Sequence, residues 1–321
     1  MRIALDVQGA DNGIQTVVDG ARIVASEGIE IVLVGPEAQI AKCGQLPAGI
    51  TSVDATEVVT NHDDPATAVR SRKQSSIVVA AKLVAAGEAD ALVSAGPTGA
   101  ALAASLFHIK RIKGVRRPAI AVILPIGGGR RTVLLDAGAN VEVPAELLMQ
   151  FAHLGAQFCI RVLGIAEPRV GLLEIGGQRS KGSDRVAKPA GRLVGPENPC
   201  HFNYLGNVEG RDITNGSADV VVTDGFTGNV ALKSIEGAAK ATMLTAVDAI
   251  KSNPVSKIGG LLAKRSLMKV RTEVDPNTTG GALLLGLRGI SVVAHGSSNA
   301  DGIAAAIRLA AQSAERDVPG Q

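Results

Sequence analysis

Short apolar runs alternate along the chain with longer stretches in which Ala, Val and Leu recur at helical spacing. The runs predict strands at Ile3–Leu5, Ile29–Val34, Ala91–Val93, Ala119–Leu124, Thr132–Leu135, Val170–Ile175, Phe202–Leu205, Val220–Val222 and Ile290–Ala294. The periodic stretches predict helices at Ile14–Ser26, Ala66–Ala86, Gly99–Ile112, Ala145–Leu163, Asn229–Lys251 and Asn299–Arg316. Strands alternating with helices read as βαβ units, so the expected class is α/β with a largely parallel sheet.

Three segments break the rhythm. Gly127–Arg131 is a tight turn between two strands, and Ile175–Pro199 reads as a loop with one short helix. Ser252–Gly281 contains an imperfectly amphipathic stretch, Ile258–Val270, in which Lys264, Arg265 and Lys269 flank Leu261, Leu262 and Met268. Such a stretch suits either the surface of an anionic bilayer or a dimer contact. No fixed-period repeat or linker divides the chain, so residues 1–321 are expected to form a single domain, with the basic segment near 252–281 protruding from it.

Composition sharpens the picture. Of 321 residues 46% are hydrophobic but only 2% aromatic, so small aliphatic side chains must fill the core. That scarcity argues against nucleic-acid or carbohydrate sites that stack ligands on aromatic platforms. A net charge of +3 is mild, although local basic clusters would still attract an acidic partner. Cys43, Cys159 and Cys200 are widely spaced, which fits a reducing cytoplasm better than a disulfide framework or a zinc site. The chain passes from Met1-Arg2 straight into a strand, so no secretory leader is expected, nor is any stretch apolar enough to span a membrane.

Candidate chemistry gathers where strands end. Ala91–Val93 runs into Ser94-Ala-Gly-Pro-Thr-Gly99, Val220–Val222 into Thr223-Asp-Gly-Phe-Thr-Gly-Asn229, and Ile290–Ala294 into His295-Gly-Ser-Ser-Asn299. Each is a Gly-containing turn with a hydroxyl or amide residue at a helix mouth, where free N–H groups and the helix dipole favour an anion. Asp136-Ala-Gly-Ala-Asn140 adds a fourth polar cluster, expected at the same edge of the sheet. A GxxxxGK[ST] loop, a GxGxxG fingerprint and HExxH spacing are all missing, so a nucleotide hydrolase, a dinucleotide enzyme and a metal site are not indicated.

These segments closely resemble the phosphate acyltransferase (PlsX-type) family of bacterial glycerolipid synthesis. The resemblance runs through Ile3-Ala-Leu-Asp6, Gly9, Asp11-Asn12, Ala68-Val-Arg70, Lys73, Ser75-Ser76 and Val93–Ala100. It continues through Gly138-Ala-Asn140, Gly206–Asp212, Ala218–Val222, Asp224-Gly-Phe226, Gly228-Asn229 and His295–Asn299. It implies a Rossmann-like, three-layer αβα fold akin to isopropylmalate dehydrogenase and phosphotransacetylase. The implied reaction joins an acyl carrier protein thioester and orthophosphate into an acyl phosphate, without a cofactor. It further implies a homodimer, cytoplasmic and loosely held at the inner face of the membrane, where a membrane acyltransferase consumes the product. Val7–Asp11, Pro97 and Gly177–Arg179 depart from the family pattern.

Orthophosphate is already a nucleophile near neutral pH, so the protein's tasks are to position it and to stabilise an oxyanion. Phosphate binding is expected at Ser94, Gly96, Thr98, Gly99, Thr227, Gly228, Ser297 and Ser298, assisted by Lys181. The oxyanion donor is Asn229, Asn207 or His295, oriented by Asp224 and Asp136. Carrier docking is expected on Arg70, Arg72 and Lys73, or on Lys110, Arg111, Lys113, Arg116 and Arg117; membrane contact is expected at Ile258, Leu261, Leu262 and Met268. The rival readings are an enzyme using coenzyme A thioesters and a non-catalytic scaffold of lipid-synthesis enzymes.

Overall fold

The computed structural model describes residues 1–176, 202–274, 280–316 and 318, with side chains in the helix that ends at 274 described as far as Met268. Eleven strands form one continuous sheet in the order β3-β2-β1-β4-β11-β10-β5-β6-β9-β7-β8. They are β1 Arg2–Asp6, β2 Glu30–Gly35, β3 Ile50–Asp54, β4 Ala91–Ser94, β5 Ala119–Pro125, β6 Arg131–Leu135, β7 Arg169–Leu173, β8 Asn203–Val208, β9 Val220–Val222, β10 Ala282–Leu285 and β11 Ile290–Val293. Most neighbours are parallel, but β10 is antiparallel to both β11 and β5, and β5 is antiparallel to β6. The Gly127–Arg131 turn therefore reverses the chain, and β6, β9, β7 and β8 run opposite to the β1–β4–β11 half. This corrects one expectation: the clusters after β6 and β9 open at the other edge of the sheet from those after β4 and β11.

Helices cover both faces. On one face α1 (Gly13–Ala25), α6 (Ala145–Phe158) and α10 (Ala300–Glu315) bury Val17, Phe151, Phe158 and Ile303. On the other, α3 (Pro65–Ser71), α4 (Ser76–Ala85), α5 (Thr98–Ala104) and the start of α8 (Gly225–Lys251) bury Val69, Ile77, Ala101, Ala104 and Leu232. Short α2 (Glu37–Lys42) and α7 (Asp212–Asn215) complete the connections. The largest fully buried side chains are Ile and Leu apart from Phe151 and Phe158, as the aromatic-poor composition requires.

Several elements differ from the expected bounds for local reasons. The helix expected over Ala66–Ala86 is two, because Arg72 turns back to form a bidentate pair with Asp63 and to donate to the Val58 carbonyl. Helix α5 widens into a single π turn over Ser105–Ile109 and stops at Lys110, whose φ of 69° is rare for a side-chain-bearing residue. Helix α6 widens likewise over Cys159–Leu163 and closes at left-handed Gly164. Strand β8 extends past Leu205 to Val208, whereas β7 ends at Leu173. Strand β10 reads Ala-Leu-Leu-Leu, which carries no β-branched residue and no alternation to announce it.

Beyond its first turns α8 leaves the body of the protein and is joined by α9 (Pro254–Val274), which packs against it as a hairpin. Gly260 makes that packing close, since a side chain there would overlap Ile250. Ile258, Leu261, Leu262 and Met268 are all exposed on the hairpin, with Leu262 82% accessible. No described helix is long and apolar enough to cross a membrane.

Candidate functional site

A cleft of about 260 Å³ lies on the α5 face of the sheet, above the middle of the strand order. Its floor is β5 with Gly281 and the first residue of β10, Ala282, and its walls are α5 (Thr98, Gly99, Leu102) and the opening turns of α8 (Asn229, Leu232, Lys233). One end is closed by Ala137-Gly138 after β6, the other by Ala294-His295 after β11. The reversal of the sheet explains this arrangement. Turns from opposite edges meet over one face because α5 and α8 each cross the sheet from their own edge, leaving β5 uncovered between them.

The turn before α5 is set from beneath. Asp6, at the end of β1, is 3% exposed and accepts hydrogen bonds from the Ser94 hydroxyl (2.7 Å) and the Gln8 amide (3.1 Å). The Ser94 oxygen in turn accepts from the Gly96 amide at 3.0 Å. Burial pushes the Asp6 carboxyl up to about 6, opposed by hydrogen bonds from Ser76, Ser94 and Gln8. Ser94 and Gly96 are thus buried pieces of the scaffold, and neither lines the cleft. What the turn presents is Thr98 and Gly99. Both line the cleft, and their amides find no acceptor among the described residues, since Pro97 caps the helix without a side-chain bond. Two free N–H groups at the mouth of a helix favour an anion.

The turn before α8 is built differently. The Gly225 amide donates to the Asn140 carbonyl, Phe226 to the Val141 carbonyl, Thr227 to the Asp224 carboxylate and Gly228 to the Asp224 carbonyl. The N–H groups expected to cradle an anion around Thr227 and Gly228 are all engaged inside the protein. A side chain at Gly228 would overlap the Asp136 carbonyl oxygen, so α8 sits directly on the 136–140 turn. That turn folds around Asp136, which is fully buried and accepts from the amides of Ile120, Gly138, Ala139 and Asn140 and from the Asn140 side chain. Gly138, at φ +140°, lies against the Asn229 carboxamide. The α8 turn therefore contributes one exposed side chain to the cleft, that of Asn229.

In the third turn His295 is exposed at the end of the cleft. The Ser297 amide donates to His295 Nδ1 at 3.2 Å, and the Ser297 hydroxyl lies 2.8 Å from the same nitrogen. A backbone N–H can only donate, so Nδ1 is the acceptor and the neutral ring carries its proton on Nε2. The Ser298 amide donates to the His295 carbonyl, while Asn12 donates to the carbonyls of Ser297 and Ser298, pinning the turn to the loop after β1. Ser297 and Ser298 thus position His295, and their amides are not free for a ligand.

The remaining expected residues divide clearly. Asp224 caps α8, its carboxylate accepting from the Thr227 amide. Asn207 lies on edge strand β8, separated from β6 by β9 and β7, and does not reach the cleft. Lys181 lies outside the described residues, as do Gly177–Arg179. Arg72 is committed to Asp63, whose carboxyl it holds well below the usual carboxylate range, and is not available for docking. Arg70 and Lys73 are exposed, and Arg70 stacks 4.6 Å from the centre of the Phe107 ring. Lys110 and Arg111 are exposed beyond the π turn, at the opposite end of α5 from Thr98. Sequence reasoning missed Lys233 and Glu236, which pair at 2.8 Å along the α8 wall. Their spacing one and two turns after Asn229 was the available signal.

Solved phosphotransacetylases and a dehydrogenase share this fold. A phosphotransacetylase from Streptococcus pyogenes superposes with a TM-score of 0.66 at 19% identity, covering 98% of this chain and 94% of its own. A branched-chain phosphotransacylase from Enterococcus faecalis gives 0.61 at 13%, and 4-hydroxythreonine-4-phosphate dehydrogenase from Klebsiella pneumoniae gives 0.55 at 13%; each covers 98% of this chain and nearly all of its own. At such identities the likeness defines the fold. The sequence relationship is closer. A phosphate acyltransferase of Heliobacterium modesticaldum is 46% identical over 99% of this chain and 95% of its own length, and one of Bacillus pumilus is 43% identical over the same shares. The model of the family described as fatty acid synthesis protein matches residues 1–321. The chain belongs to that family and is an acyltransferase.

Proposed function

We propose that the protein transfers a fatty acyl group from an acyl carrier protein thioester to orthophosphate, feeding phospholipid synthesis. The observation that carries this reading is the pair of free amides at Thr98 and Gly99, opening on a cleft that also holds the Asn229 carboxamide and the Nε2–H of His295. Orthophosphate sits against the Thr98 and Gly99 amides. One of its oxygens attacks the thioester carbonyl carbon, and the carbonyl electron pair moves to oxygen. Asn229 or His295 donates to that oxyanion. Collapse breaks the carbon–sulfur bond, and the thiolate leaves to take a proton from solvent or from phosphate. No covalent enzyme intermediate is needed. Holding the reactants in place is worth up to about 7–11 kcal/mol of barrier, and one aimed oxyanion donor about 2.7–4 kcal/mol.

Two further parts of the reading concern surfaces. The exposed apolar face of the α8–α9 hairpin, carrying Lys257, Lys264 and Arg265, serves as the contact to an anionic membrane surface or to a second copy of the chain in a homodimer. The carrier, being acidic, approaches the basic end of α5 at Lys110 and Arg111, with Arg70 and Lys73 beside it. The test is turnover of Asn229→Ala, His295→Gln and Thr98→Pro. The last removes an amide donor at the first helical position, where proline is sterically tolerated. Loss of the oxyanion donor, whichever of Asn229 and His295 it is, should lower kcat by about 10²–10³, Thr98→Pro should raise KM for orthophosphate, and full activity in all three would remove the assignment.

A further inference from the structure

A second pocket, of about 410 Å³, opens at the end of the cleft remote from His295. Arg111, Arg116 and Arg117 line it beside Leu102 and Phe107, and it reaches Ala139-Asn140, the continuation of the turn that closes the cleft. Leu102 lines both spaces, so the pocket continues the cleft along α5. Its lining contains no acidic residue. The guanidinium groups of Arg116 and Arg117 have no partner among the described residues, while Arg111 donates to the Arg116 carbonyl and so fixes the loop that carries them. Arg70 adds a further cation over the Phe107 ring, 4.6 Å from its centre. One wall is formed by Leu106 and Phe107 of the π turn of α5, which ends at Lys110 in a positive-φ conformation secured by bonds from the Lys110 amide to the Ser105 carbonyl and from the Arg288 amide to the Lys110 carbonyl. Rare backbone of this kind persists where the surroundings hold it.

We propose that this pocket seats the phosphate of the 4′-phosphopantetheine arm that carries the acyl thioester, with the arm lying along the cleft towards Thr98 and His295. The inference rests on the acyl-transfer reading. Planar guanidinium forks match phosphate oxygens, and no carboxylate in the lining competes for them. The two spaces share Leu102, one helical turn from Thr98, so an extended chain seated in the pocket can continue into the cleft. Both an acyl carrier protein and coenzyme A contain this phosphate, as a diester in the first and as half of a diphosphate in the second. The pocket therefore explains recognition of the arm, and the choice between donors falls to surfaces outside it.

The experiment is calorimetric titration of the full chain with 4′-phosphopantetheine and with pantetheine, for wild type, Arg116→Gln/Arg117→Gln and Arg116→Lys/Arg117→Lys. The wild type should prefer the phosphorylated arm by roughly ten- to a hundredfold, the glutamine variant should lose that preference, and the lysine variant should keep part of it. KM for the acyl-carrier should rise in the glutamine variant by a similar factor while KM for orthophosphate stays unchanged. Equal binding of both arms by wild type, or an undiminished preference in the glutamine variant, would overturn the proposal. A raised KM for the acyl-carrier without any change in arm binding would also overturn it, in favour of docking between protein surfaces. Preferential binding of the arm by a wild type that forms no acyl phosphate would leave the site standing and sink the acyl-transfer reading instead.

Discussion

Replacing Ser94 by Ala isolates the device that shapes the Thr98 turn. In the folded protein the Ser94 hydroxyl donates to a fully enclosed carboxylate at 2.7 Å and accepts from the Gly96 amide. Removing a hydrogen bond to a buried charged group costs about 1.5–3 kcal/mol, whereas the same bond to a neutral carboxyl is worth about 0.5–1.5 kcal/mol. The penalty must therefore depend on pH. In wild type Asp6 is raised from 3.8 to about 6, so the folded state holds a proton that the unfolded state has released between those values. This group's contribution to stability is present in full below pH about 4 and is lost as pH rises through 6. Ser94 is one of the groups holding that carboxyl down, so Ser94→Ala raises it further and deepens the loss at neutral pH. Urea unfolding of both proteins at pH 5 and pH 8 measures the effect. The difference between variant and wild type should be larger at pH 8 by about 1–2 kcal/mol. An equal difference at both pH values would mean that the hydroxyl does not stabilise a charged Asp6, and the account of the turn would fail.

Other substitutions probe other parts of the account. Gly228→Ala drives a methyl group into the Asp136 carbonyl and should destabilise the fold by about 1–3 kcal/mol or more, measured by urea unfolding. Arg72→Ala should lower stability at neutral pH, with the loss fading in acid as Asp63 becomes protonated, and should leave KM for the carrier unchanged because this arginine is already paired. Leu261→Asp together with Leu262→Asp should abolish vesicle flotation if the hairpin meets a membrane, or shift the sedimentation coefficient if it meets a second copy. A variant unchanged in both assays would leave that face without the assigned role.

Much of the fold is readable in the sequence because Val- and Ile-rich runs such as Ile31–Val34 and Val220–Val222 have little alternative to a buried strand. The elements that escape are those whose identity depends on neighbours. The Ala-Leu-Leu-Leu of β10 becomes a strand only because β11 and β5 lie on either side of it. The break at Arg72 depends on Asp63, and the start of α8 depends on the Asp136–Asn140 turn from an earlier part of the chain. The site is legible in the same uneven way. Strand–Gly–helix turns point to Thr98, Asn229 and His295, and all three line one cleft, although α8 begins four residues before Asn229 and His295 precedes the cap of α10 by four. The local pattern cannot distinguish a turn with free amides from one whose amides are spent on another segment. It also cannot register that the Gly127–Arg131 hairpin turns half the sheet around, so that two edges are joined across a face.

The most direct test of the central claim is acyl-phosphate formation from palmitoyl-carrier protein, with and without orthophosphate, beside palmitoyl-coenzyme A. The account predicts turnover that requires orthophosphate and is supported far better by the carrier thioester. Turnover with coenzyme A alone, or thiol release indifferent to orthophosphate, would contradict it.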